Sequence, residues 1–251
     1  MSTLITDMAY VSAYLISLAI SAFLLLRTNA MMRNSVLEQS AELSLLHHPD
    51  GSQLESDIER TTIALDSTYP YNQKPSFDLI IAFQSAITLM FFLAGYRYIG
   101  SASGVFLASA ISIFAALAIL DLKTTWLPRK HSIWLSLFMF LGLSFGVNPF
   151  PLTLMDLVFG CAIIGSLCLL ANFISENMKG LPCITQGDTF YLIAMAALIG
   201  PDAIYILLIA VVAQAIAVKL KLYSQVSDAP NHAPFGPALF IGLLTVIAAT
   251  F

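Results

Sequence analysis

Runs of uninterrupted apolar sequence recur along this chain and constrain its fold more than any single motif does. A bilayer hydrocarbon core of about 30 Å needs about 20 apolar residues in a helix. Eight candidate runs read off the sequence, at approximately 8–26, 78–96, 102–120, 132–147, 153–174, 188–200, 202–219 and 235–250. The sixth is short, and only Gly200, Pro201 and Asp202 part it from the seventh, which reads as a tight helix–helix turn. In lipid every backbone polar group must be bonded within the protein, so such runs become helices. The expected fold class is all-α, a polytopic integral membrane protein with about eight transmembrane helices. Composition agrees: 58% of the 251 residues are hydrophobic and 10% are charged, against about 25% charged in soluble domains.

Charge placement gives an orientation. Alternating the eight runs across the bilayer puts Arg27, Arg33, Arg60, Lys74, Lys123, Arg129, Lys130, Lys179, Lys219 and Lys221 on one face, leaving Arg97 alone on the other. Basic residues mark the cytoplasmic side, so both termini are expected outside. An odd number of helices would destroy this partition. Arg27 follows the first apolar run rather than preceding it, the charge order of a retained span and not of a cleaved signal peptide. Three regions result: 1–26 as the first transmembrane helix, 27–76 as a polar cytoplasmic segment, and 77–251 as the membrane core. The middle segment is rich in Glu, Ser and Asp and is expected to hold a short amphipathic helix or to stay partly mobile.

No basic patch points to nucleic acid as a partner. Cys161, Cys168 and Cys183 form no CxxC pair, which removes the usual zinc and disulfide frameworks; Cys161 and Cys168 read as helix packing. His47, His48 and Asp50 lie together, but stable sites need three or four ligands, so solvated side chains are the expectation and no metal is assigned. There is no G-x-S-x-G, no H-E-x-x-H and no phosphate-binding loop.

What remains chemically are the aspartates at the ends of apolar runs, because a charge in hydrocarbon is costly and marks function by default. Asp7, Asp78, Asp156 and Asp202 each begin a run, where an N-cap role accounts for them. Asp121 instead closes the third run, at the helix end whose dipole disfavours an anion. Asp188 opens the sixth run after Gly187, where capping remains an alternative. The topology puts Asp121 and Asp188 at one depth on one face. Two carboxyls that approach one another are the minimum for aspartic-protease chemistry: one ionises to activate water while the other stays protonated to polarise the scissile carbonyl. Helix dipoles favour Asp188 as the carboxylate and Asp121 as the acid.

These segments resemble the type IV prepilin peptidases, membrane aspartic peptidases of the GxGD type. "DLKTTWLP" supplies Asp121 and the turn Pro128 of a D-x(5 or 6)-I/L-P pattern, and "TQGDTFYLIAMAALIG" supplies Gly187 and Asp188. "APFGPALFIGLL", Ala233 to Leu244, is similar to the family's entry into its last helix, and the resemblance covers about residues 79–250. Departures stand at Thr185, where the family has the first glycine, at Phe190, where a basic residue is usual, and at Arg129, where Asp or Asn commonly follows the proline.

The resemblance implies catalytic Asp121 and Asp188, an active-site turn at Gly187 and Pro128, and no cofactor. It implies the bacterial inner membrane as location and a type IV prepilin or pseudopilin precursor as substrate, cut at the cytoplasmic face. Gly187 would let backbone approach closely beside the carboxylate, or form a plain helix-initiating turn. Many bifunctional members carry metal-binding CxxC pairs in the region of 27–76, associated with N-methylation by S-adenosylmethionine. This chain has no cysteine there, so that cofactor applies only if methyl transfer is retained. The rival readings are a non-catalytic member serving pilus assembly, a bifunctional peptidase and methyltransferase, and a transporter with a cation site at the two aspartates. The sequence leaves the oligomeric state open.

Overall fold

A computed structural model of the chain describes residues 51–68, 101–124, 127–179, 183–220 and 234–250, with isolated positions between 12 and 50. Among the described residues there are helices and turns but no strands. In chain order the helices are α1 (Leu54–Thr68), α2 (Ser101–Thr124), α3 (Arg129–Ser144), α4 (Leu154–Lys179), α5 (Gln186–Ile199), α6 (Ala203–Lys219) and α7 (Gly236–Thr250). A 3₁₀ turn, Gly200–Asp202, joins α5 to α6.

Each boundary has a local cause. Pro128 takes the N-cap position of α3 with extended backbone; its ring would obstruct a helix running through it, and it makes a compatible start. The α4 start is a capping box, in which Thr153 N–H and Oγ donate to Asp156 Oδ2 at 2.8 and 2.7 Å and Asp156 N–H donates back to Thr153 Oγ. Asp156 therefore has the capping role expected of it. Asp202 does not, although it occupies the N-cap position of α6: it makes no side-chain capping bond. The 3₁₀ turn runs straight into α6, so Asp202 has helical backbone, φ −64° and ψ −10°, where a capping residue is extended. Gly200 makes that turn at φ 69° and ψ −143°, a region essentially closed to residues with a Cβ. Asp7 and Asp78 lie outside the described residues.

Three stretches are long and apolar enough to cross a membrane: Ala102–Leu122, Leu154–Met178 and Gln186–Lys219, the last being α5 and α6 together; Gly236–Thr250 is a shorter apolar helix. The expected runs from the third to the eighth coincide with α2 to α7. They do not all become full-length spans, however. α5 has 14 residues, α7 has 15 and α3 has 16. At about 1.5 Å per residue these rise roughly 21–24 Å, short of a 30 Å core. Their lengths follow the apolar runs themselves, which are already short at 132–147, 188–200 and 235–250. The run 78–96 lies outside the described residues, and 8–26 contributes isolated helical positions only.

α5 is the centre of the core. It packs against α3 and α4 along its length and touches α6 and α7, while α2 packs on α7 and α3. Its buried side includes Tyr191, Leu192, Ala194, Met195, Ala196, Ala197 and Leu198; a helix apolar all round belongs inside, and its alanines let neighbours approach closely, the usual means of helix association in lipid. Peripheral helices turn large apolar groups outward: Trp134 and Leu141 on α3, Leu169 and Phe173 on α4, Val212 and Ile216 on α6. An exterior of this kind is matched to hydrocarbon and not to water. The protein is a membrane protein. Hydroxyls in the helices bond carbonyls one turn back, as Ser109 to Val105 and Ser112 to Ala108, both at 2.7 Å, which spares unpaired polar groups.

In the polar segment, every described position between 27 and 45 is helical. Ser44 Oγ donates to Asp57 at 2.8 Å, and Ser40 and Thr61 hydroxyls meet at 2.8 Å. The two pairs run in opposite directions along the chain, so this stretch and α1 form an antiparallel helical hairpin. The short helix expected within 27–76 is α1.

Candidate active site

Three helix ends converge on two carboxyls. Asp121 lies in the last turn of α2 and Asp188 in the first turn of α5. Both are buried, at 3% and 7% exposure, and each lies within electrostatic reach of the other. The structure thus brings together the two aspartates singled out in the sequence.

Asp188 is held by its own helix start. Thr185 is the N-cap of α5, and its Oγ and N–H donate to Asp188 Oδ2 at 2.7 and 3.2 Å, while Asp188 N–H returns a bond to Thr185 Oγ at 3.1 Å. Asp121 is held from elsewhere in the chain. The Gly236 N–H, at the start of α7, donates to Asp121 Oδ2 at 2.6 Å, and the Phe235 N–H donates to the same carboxyl. This corrects the dipole argument drawn from sequence. Asp121 ends α2, but it also caps α7 across space, so each carboxyl sits at a helix N-terminus. The dipoles therefore do not separate an acid from a base.

The turn after α2 reaches the same place. Leu127 and Pro128 are buried, and a Cβ on Gly187 would overlap the Leu127 carbonyl oxygen and lie 2.9 Å from its carbonyl carbon. Of the two readings of Gly187, close backbone approach is the one the structure supports, and the partner is the turn that Pro128 completes. Sequence reasoning missed Tyr191. Its hydroxyl donates to the Phe114 carbonyl of α2 at 2.7 Å, and its ring meets Phe114 edge-on with centroids 5.2 Å apart. It lies within electrostatic reach of both aspartates and ties together the helices that carry them. A tyrosine three residues after an aspartate shares its helix face; that was the available signal. Phe235 and Gly236 were legible only as a motif, without a role.

The departures fall in different places. Thr185 is in the site. Phe190 is only half-buried, and its carbonyl accepts from Ser136 Oγ of α3 at 2.9 Å. Arg129 is exposed at the start of α3. Away from the site, Asp50 Oδ1 accepts from Ser52 N–H and Oγ, and these bonds hold its carboxyl below the ordinary value. His47 lies outside the described residues, and among those described no three His, Cys, Asp or Glu side chains gather as metal ligands would.

The site consists of two buried carboxyls, each oriented by hydrogen bonds from a helix start. The model of the type IV leader peptidase family matches residues 108–219, a stretch that includes Asp121, Pro128, Gly187 and Asp188. No curated protein and no solved structure matches the chain.

Proposed function

We propose, from the premise that residues 108–219 belong to the type IV leader peptidase family, that the chain is a membrane aspartic endopeptidase removing leader peptides from type IV prepilins or pseudopilins. The observation that carries this reading is the meeting of Asp121 and Asp188, both buried and each bonded at Oδ2 by an N–H from a helix start.

In the proposed reaction the ionised member of the pair takes a proton from water, whose oxygen attacks the scissile carbonyl carbon. The protonated member donates to the carbonyl oxygen. Collapse of the resulting diol breaks the C–N bond as the new amine takes a proton, leaving an acid and an amine from one peptide and one water. Gly187 and Pro128 serve as the turn that sets the distance between the two carboxyl-bearing segments. The lipid bilayer is the medium, and the excess of basic residues in one set of connections supports a reaction at the cytoplasmic face, with both termini on the other side. The prepilin suits that depth because its leader is aqueous while the segment after the cut is a membrane helix. S-adenosylmethionine enters only if methyl transfer is retained; residues 27–76 contain none of the cysteines linked with it.

The test uses the full-length protein in vesicles with a prepilin, following leader removal by mass. Asp121→Asn and Asp188→Asn should each abolish cleavage while remaining in the membrane. Retained processing in both single variants would overturn the reading.

A further inference from the structure

We propose that Thr185 is a positioning residue for the Asp188 carboxyl, its hydroxyl and N–H pinning Oδ2 so that Oδ1 is the oxygen left to act. The inference rests on the peptidase reading above and assigns a role to one of the residues at which this chain departs from the family pattern. A glycine there has no side chain to offer. Threonine builds a reciprocal box, with Oγ to Oδ2 at 2.7 Å and Asp188 N–H to Oγ at 3.1 Å. Among the described residues, Asp188 Oδ1 has no hydrogen-bond partner. One oxygen is fixed and one is available.

The cap is itself held. Asn172 of α4 grips the residue before it on both sides: the Ile184 N–H donates to Asn172 Oδ1 at 2.8 Å, and Asn172 Nδ2 donates to the Ile184 carbonyl at 2.9 Å. On the other side, Thr189 N–H and Oγ both donate to the Thr185 carbonyl at 3.0 Å. Thr185 is thus fixed from α4 and from α5, and its hydroxyl transmits that fixity to the carboxyl. A reacting group held in one rotamer by a supported neighbour is what preorganised sites require.

Thr185 touches Asp188 and not the reacting atoms, so its removal should act on turnover rather than on substrate binding. The experiment compares wild type, Thr185→Ser, Thr185→Val and Asp188→Asn in vesicles, with a prepilin as substrate and rates normalised to folded protein. Thr185→Ser keeps the hydroxyl and should stay within about threefold of wild-type kcat, because the bond to the carboxylate survives. Thr185→Val keeps the shape without the hydroxyl and should lower kcat roughly 10- to 100-fold with KM little changed. Its acid limb of kcat/KM should also move to higher pH, since a hydrogen bond to the ionised form favours that form. The groups facing Asp188, namely Asp121, Tyr191 and Cys168, are the same in every variant and so do not account for a difference. Should Thr185→Val not fold, Thr185→Ala supplies the same comparison.

If the hydroxyl only caps the helix, the variant melts lower but keeps wild-type kcat and the wild-type acid limb, and the positioning role is overturned. If wild type cleaves and Asp188→Asn does not, that failure belongs to this inference alone. If Asp188→Asn still cleaves, or wild type does not, the peptidase reading fails and takes this one with it.

Discussion

Gly187→Ala is the smallest change that tests whether the site depends on the approach of α5 to the Leu127–Pro128 turn. The added Cβ would overlap the Leu127 carbonyl oxygen and lie 2.9 Å from the carbonyl carbon and 3.0 Å from Leu127 Cβ. Carbon atoms pack best at about 3.5–4.0 Å, so relief requires a separation on the order of 1 Å. No flexible side chain can absorb it, because the obstructing atoms include backbone. Leu127 is 2% exposed, Pro128 is buried beside it, and α5 is pinned at its start by Thr185 and through Ile184 by Asn172. Asp188 is the next residue, so the displacement passes to its carboxyl. Misplacement of about 1 Å at a reacting group costs on the order of 100-fold in rate, while overpacking lowers stability by about 1–3 kcal/mol. The assay is initial-rate leader removal at saturating substrate, normalised to folded protein by thermal unfolding in detergent. Gln186→Ala, at an exposed neighbouring position, is the control and should behave as wild type. A Gly187→Ala protein that is folded and cleaves within about threefold of wild type would refute the reasoning, because it would show that the two segments can part without cost to the chemistry.

Two further substitutions probe the frame around the dyad. Tyr191→Phe removes the 2.7 Å bond to the Phe114 carbonyl but keeps the ring contact. It should lower stability by about 0.5–1.5 kcal/mol in reversible unfolding, with cleavage per folded molecule retained; loss of cleavage at full stability would make the hydroxyl a participant. Gly200→Ala places a Cβ on backbone at φ 69° and 2.8 Å from Leu152 Cδ2. A destabilisation of about 1–3 kcal/mol is expected from the backbone strain, read as a lower melting temperature, and an unchanged melting temperature would show that the turn rearranges freely.

Much of this was legible because hydrocarbon is an unforgiving solvent. Long apolar runs and isolated carboxyls stand out against it, which is why α2 to α7 and the pair Asp121 and Asp188 could be read directly. Helix ends were less legible than helices, because they depend on caps such as Pro128 and Gly200 as well as on hydropathy. Asp202 shows the same limit from the other side, since its type and position suit a cap that the preceding 3₁₀ turn makes unnecessary. The partner of Asp121 could not be read at all, because Gly236 lies 115 residues away and bonds through a backbone N–H that every non-proline residue carries. Thr185 looked like a flaw in a motif, and only the geometry shows that its hydroxyl reaches the carboxyl the motif is known for.

The arrangement also answers how two carboxyls come to be buried side by side in such a protein. An unpaired carboxylate in an apolar surround is prohibitive, and a second one beside it raises the cost. Helix N-termini are a source of donors that needs no basic side chain, because their first N–H groups have no partner within the helix. α5 supplies donors to Asp188 through the Thr185 cap, and the start of α7 supplies them to Asp121. The last turn of α2 passes between these two starts and brings its aspartate to both. α5 and α7 begin at the dyad, where their free N–H groups are needed. The helix starts and the carboxyl pair are then one feature. A full-length α5 running past Asp188 would engage that N-terminus in its own ladder and leave the carboxyl without its cap.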